Sequence, residues 1–221
     1  MLVNFQNVLK DDVYLNKHYK AVNFYLTNEK YTLVPEDFFD RKHIKEYFKY
    51  NQYLAPEEEI HFTKISKAKI YDVFAYPMEL TSFLVNHFPE VRLFHTTVPF
   101  IHYMLFLSEE LNSNSEIFGI NFYESSFDVF VLHKQKPLLL NNFFFNTDED
   151  AVYYIMNVIS MLGLDKTKIS MILQGNITAQ DKKFSYLKEM IINVRLARKF
   201  QREFLFKKIP PHFFSNMLID F

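Results

Sequence analysis

The 221-residue chain has 0 Cys and only 3 Gly. The first absence excludes disulfides, thiolate metal sites and a cysteine nucleophile, and it fits a reducing compartment. The second absence excludes more. Average usage of ~7% would give about 15 glycines, and the three present, Gly119, Gly163 and Gly175, lie far apart. Phosphate-binding loops need clustered glycines, because the backbone must turn with positive φ and approach the phosphate closely. Neither G-x-G-x-x-G nor G-x-x-x-x-G-K-[ST] occurs. A charge of one sign is lacking too. Lys+Arg number 25 and Asp+Glu 26, leaving a net charge of -1, so global charge steers the chain to neither nucleic acid nor an anionic membrane. No apolar run approaches the ~18 residues of a spanning helix. Apolar stretches such as Leu138–Leu140 and Phe143–Phe145 are split by Asn141 and Asn142. The opening MLVNFQNVLKDD is too short and polar for a secretory signal. These features lead us to expect a soluble cytoplasmic protein.

Aromatic residues, in contrast, are abundant: 26 Phe and 14 Tyr. Such side chains can stack on bases or build a partner interface, and A/T-rich coding also favours them. A chain of this length buries roughly 70% of the surface its unfolded form exposes, enough to form a core without covalent staples.

The first half reads as alternating elements. Tyr19–Leu26 and Tyr31–Val34 are β-branched and aromatic, and Thr27–Lys30 between them gives a hairpin signal. Pro35 opens a helix predicted to run through Phe48. Glu59–Ile65 and Ile70–Tyr76 are strands, Pro77 starts a second helix, Val91–His95 is a short strand and Val98–Leu111 a third helix. The polar stretch Asn112–Ser115 marks the expected domain boundary, giving halves of residues 1–112 and 113–221. The second half opens with three strands, Glu116–Phe122, Phe127–Leu132 and Pro137–Phe145. Thr147 and Asp150 then form a helix start of capping-box type, and Gly163 sits where that helix needs a left-handed C-terminal residue. Strand Lys168–Leu173, a helix around Asp181–Met190 and strand Ile191–Leu196 follow. A meander followed by helix-linked strands makes a mixed sheet with helices on its faces.

The stretches "TLVPEDFFD" (Thr32–Asp40), "VFAYPMELTSFLVNHFPEVRLFHTTVPFI" (Val73–Ile101), "FDVFVLHKQKPLLLNNFFFNTDEDAVYYIMNVISMLGLD" (Phe127–Asp165) and "ILQGNI" (Ile172–Ile177), in this order, resemble an uncharacterised Bacteroides-type bacterial family with an actin-like ATPase fold. The resemblance spans most of residues 20–195. It implies an α/β protein of two ribonuclease-H-like halves (the actin-like ATPase superfamily), each a mixed β-sheet flanked by helices.

Active members of that superfamily carry Asp-x-Gly-x-[Gly/Thr] on the hairpin that here reads "GINFYESSFDVFVL". The resemblance places Asn121, Phe122, Tyr123, Glu124 and Ser125 on that motif. Asn121 lacks the charge a magnesium ion prefers, and Tyr123 puts bulk where glycine admits phosphate. Of the paired glycines at the adenosine site only Gly175 remains. Thr27-Asn28-Glu29 in the first half offers no Asp-Gly. Ser125 and Ser126 read as ordinary turn residues that could donate to an anion, and Asp128 as a solvent-exposed strand-end acid.

His87, His95 and His102 lack the i, i+4 spacing of zinc ligands on one helix and read as satisfied histidines of the interior or rim. No G-x-S-x-G elbow occurs. The segment Asp181–Lys208 interleaves basic and aromatic residues, and Arg195, Arg198, Lys199 and Arg202 form its candidate binding patch. A solvated helix face has the same appearance. We therefore expect a non-catalytic pseudo-ATPase scaffold that holds a protein partner, with no cofactor and no metal. The alternatives are a weak ATP-dependent enzyme and a nucleic-acid binder acting through the basic segment.

Overall fold

The structure, a computed structural model, describes residues 2–111, 116–197 and 211–213. Backbone packing divides the chain into two compact units, with the junction after Val98. The linker Asn112–Ser115 lies outside the described residues.

The first unit contains α1 (Leu2–Asp11), β1 (Val22–Leu26), β2 (Tyr31–Pro35), α2 (Ile44–Asn51), β3 (Glu58–Ile65), β4 (Ile70–Pro77), α3 (Met78–His87) and β5 (Val91–His95). Strands β2, β4 and β3 form an antiparallel sheet with β4 at its centre. β4 is buried from Asp72 to Tyr76, as suits a central strand. Val34, Phe48, Val73 and Ala75 make a core on this sheet, and Phe39 stacks on Tyr71 at 3.7 Å beside it.

Three features of this unit differ from the sequence expectation. β1 and β2 do not form a hairpin: β1 pairs in parallel with β5, Val22 opposite Val91, while β2 pairs with β4. Thr27–Lys30 therefore carries the chain from one sheet to another, and the Asn28 side chain accepts from the Lys30 amide at 2.9 Å to shape that passage. The helix expected from Pro35 is broken into two 3-10 turns, Glu36–Phe38 and Arg41–His43, before α2. Asp40 separates them by accepting from the Lys42 amide, a local bond that competes with helix continuation. Helix α1 was not anticipated. Leu9 is its one buried residue, so its apolar signal is faint.

The second unit takes up α4 (Thr97–Glu110) beyond Val98, then β6 (Ile117–Phe122), β7 (Ser126–His133), β8 (Lys136–Phe144), α5 (Asp148–Met161), β9 (Ser170–Gly175), α6 (Lys182–Met190) and β10 (Asn193–Leu196). Its sheet has the order β10-β9-β6-β7-β8. β6 is antiparallel to β7 and parallel to β9, which matches the expected meander and crossovers. Thr147 and Asp150 form the reciprocal capping box at the start of α5, and Gly163 has φ +62° just beyond its end.

Strand alternation gives this sheet two distinct faces. Ile120, Phe122, Phe127, Val129 and Leu173 lie in an apolar core with residues of α5 and α6. On the other face Gly119 meets α4 so closely that an added Cβ would sit 2.5 Å from the Met104 sulfur. That second face also carries the buried polar side chains of Asn121, Asp128 and Gln174.

Candidate functional site

The hairpin between β6 and β7 is tight. Its tip closes with the Tyr123 amide donating to the Ser126 carbonyl at 2.8 Å, and the Phe145 amide donates to the Ser125 carbonyl at 3.0 Å. Glu124 and Ser125 are exposed, whereas Tyr123 and Ser126 are half-buried. The structure thus brings Asn121, Tyr123, Ser125 and Ser126 together at one sheet end.

Gly175 joins them from β9, opposite Phe122. Its φ is +79°, and a Cβ there would overlap the Phe122 carbonyl oxygen and reach 2.8 Å from Asn121 Oδ1. The next amide, that of Asn176, donates to the same Phe122 carbonyl at 2.8 Å. Gly175 is therefore required by the close approach of two strand ends and by its left-handed backbone, without reference to any ligand.

Register aligns four polar residues across the sheet. Asn142 lies opposite Asp128, Asp128 opposite Asn121, and Asn121 opposite Gln174. Gln174 Nε2 donates to Asn121 Oδ1 at 3.2 Å. The Tyr123 hydroxyl donates to Asp128 Oδ2 at 2.7 Å, and Asn142 Nδ2 donates to Asp128 Oδ1 at 2.9 Å. Asp128 is 1% exposed, which corrects the expectation of a solvated strand-end acid. A buried carboxylate persists only where donors compensate its lost hydration, and here Tyr123 and Asn142 supply them. Sequence reasoning missed Asp128, Asn142 and Gln174 as one group, because cross-strand register is not visible in a single strand's pattern.

The first unit has its own buried polar cluster. His95 Nδ1 lies 2.7 Å from Thr97 Oγ1 and Nε2 2.9 Å from the Asn28 carbonyl. The Thr97 hydroxyl is in turn hydrogen-bonded to Asp72 Oδ2. All three side chains are essentially inaccessible. Burial pushes His95 down to about 4, partly opposed by its bond to the Asn28 carbonyl. His95 is thus the satisfied interior histidine that spacing suggested. His87 is exposed and stacks on Phe83 at 5.7 Å, and His102 is half-buried.

Among the described residues no group of three or more His, Cys, Asp or Glu is arranged to hold a metal ion. No helix there is long and apolar enough to cross a membrane. Arg195 lies half-buried on β10, while Arg198, Lys199 and Arg202 fall outside the described residues.

Residues 1–194 match the family described as "Protein of unknown function (DUF3822)". The chain belongs to the DUF3822 family. No curated protein matches it. Among solved structures, this DUF3822 chain is similar to a Bacteroides thetaiotaomicron protein described as having an actin-like ATPase fold and unknown function. The TM-score is 0.81 at 22% identity, over 88% of this chain and 75% of that one. It is also similar to the PilM-PilN type IV pilus biogenesis complex, with a TM-score of 0.52 at 13% identity, over 88% of this chain and 73% of that one. At these identities the likeness establishes fold: the DUF3822 chain is a mixed α/β protein of actin-like type.

Proposed function

We infer that this protein is a non-catalytic member of the actin-like fold that serves as a scaffold for a protein partner. The observation that carries this reading is the state of Tyr123. At the position where the resemblance expects a phosphate-admitting glycine, its backbone N–H is already donated to Ser126 and its hydroxyl to Asp128. Both of these Tyr123 donors are therefore spent within the protein, whereas a phosphate is cradled by outward-facing N–H groups. Asn121, beside it, uses its side-chain oxygen for Gln174 and brings no charge to a hard cation. A neighbour of the same fold occurs in a complex of two proteins, PilM and PilN, which supports partner binding as a use of this architecture. Calorimetric titration of the purified chain with ATP and magnesium tests the reading. The expected trace shows only dilution heat; a saturable isotherm would require the scaffold assignment to be withdrawn.

A further inference from the structure

Building on the scaffold reading above, we propose that the outer face of α2 is a docking surface for an acidic segment of the partner protein. Carboxylates of that segment lie over Lys42, Lys45 and Lys49, and an apolar side chain beside them seats between Tyr50 and Tyr53.

Helix α2 is held to its sheet by one side. Phe48 is its buried residue, and Ile44 and Tyr47 pack against the same core. The helical turn carries Lys45, Glu46, Lys49 and Tyr50 to the other side, where all four are exposed. Lys45 and Lys49, four positions apart, share this face, and exposed Lys42 precedes them in the 3-10 turn Arg41–His43. None of the three lysines is in an ion pair among the described residues. Arg41, in contrast, lies over the Phe62 ring at 5.6 Å. Like charges at helical spacing weaken a helix, so folding gives no reason for the lysine stripe. An acidic partner supplies the missing counter-charges.

A groove adjoins the stripe where the chain leaves α2 for β3. Its volume is about 540 Å³, and it is lined by Lys49, Tyr50, Asn51, Gln52, Tyr53 and Leu54. Tyr50 is 89% exposed and Tyr53 73%, and neither belongs to the core beneath α2. The amides of the groove are engaged within the protein. Asn51 donates to the Thr32 hydroxyl at 2.8 Å, and Gln52 donates to the Glu29 and Tyr31 carbonyls at 3.1 and 3.2 Å. Lys30, over the Tyr53 ring at 5.8 Å, is paired with Glu58. The groove therefore offers a visitor two aromatic rings with their hydroxyls, Leu54 and the Lys49 ammonium. Tyrosines of this kind anchor protein interfaces, and two on one groove exceed the singly scattered apolar residues of an ordinary surface.

Charge selects the occupant. The whole chain has a net charge of -1, so the stripe is a local feature that matches an acidic peptide. A nucleic acid fits it less well. Phosphates are evenly spaced, and Glu46 stands within the stripe, where it repels a phosphate but can face a neutral residue of a peptide.

The test uses the full chain. The probe is a short fluorescein-labelled peptide with a run of glutamates followed by a leucine–phenylalanine pair. Fluorescence anisotropy should show saturable binding that weakens as salt is raised. A peptide with glutamines in place of the glutamates should bind about tenfold more weakly. The glutamate peptide should lose affinity by a similar factor with the double variant Lys45→Glu, Lys49→Glu and with Tyr50→Ala. Absence of binding, or equal affinity in these comparisons, overturns the proposal; tighter binding of an oligothymidylate overturns it in favour of a nucleic acid. Amide NMR of the wild-type chain needs no variant. Shifts on adding the peptide should gather within residues 42–54, and shifts confined elsewhere refute the site. The ATP titration separates this failure from that of the scaffold reading. A chain silent to both ATP and the peptide loses only this surface, whereas saturable ATP binding removes the scaffold reading whatever the peptide does.

Discussion

Among the described residues each unit buries an aspartate in a sheet, and the two meet different side chains. Asp128 in the second unit faces two groups with protons to give, the Tyr123 hydroxyl and the Asn142 amide. Asp72 in the first unit faces a threonine hydroxyl that must also serve His95. The two acids thus have different neighbours, although both side chains are about equally inaccessible. Burial alone therefore does not describe the setting of an acid; the groups that meet its oxygens matter as much.

The contrast breaks most severely at Gly175, for which the first unit has no equivalent, since none of the 3 glycines precedes Gly119. Its own left-handed turn residue is Lys69, at φ +53°. Gly175→Ala sets a methyl against the Phe122 carbonyl and Asn121. Overpacking and left-handed strain together should cost about 4 kcal/mol, read as a lower urea midpoint, and an unchanged midpoint would show that the strand ends can part freely. Asp128→Asn sharpens the comparison next. An amide placed between two donors must turn one of them away, so we expect a loss of about 2 kcal/mol. An unchanged midpoint in denaturant titration would show that neither donor is needed to hold this acid. Tyr123→Phe should have the smallest effect, about 1 kcal/mol, because Asn142 still serves Asp128 and the half-buried ring remains in place. Thermal unfolding of this variant should show a small decrease in Tm.

Most of the second unit was legible from local pattern. The Thr147 capping box, the left-handed Gly163 and the alternation along β6 to β8 are properties of short windows, and the elements fall within about two residues of expectation. The first unit was less legible because its pairings are distant. Nothing within Val22–Leu26 reveals that its partner is Val91–His95, and the nearer strand Tyr31–Pro35 made a hairpin look natural. The candidate site followed the same division. Asn121, Tyr123, Ser125, Ser126 and Gly175 were read from the hairpin and its resemblance, and they lie near one another at one end of the sheet. Asp128 was misjudged because its burial depends on Asn142, one strand over. Thr97 and Asp72, 25 positions apart in sequence, meet only through tertiary folding.

Gly119 opens the hairpin stretch GINFYESSFDVFVL. In space it is the floor beneath a methionine, with the Met104 thioether resting where a side chain would stand. The close seat of a helix on a sheet is thus enough to call for glycine at this position, whatever the fate of any ligand. Gly119 answers to architecture, and a search for ancestral catalysis that counts such residues would mistake carpentry for chemistry.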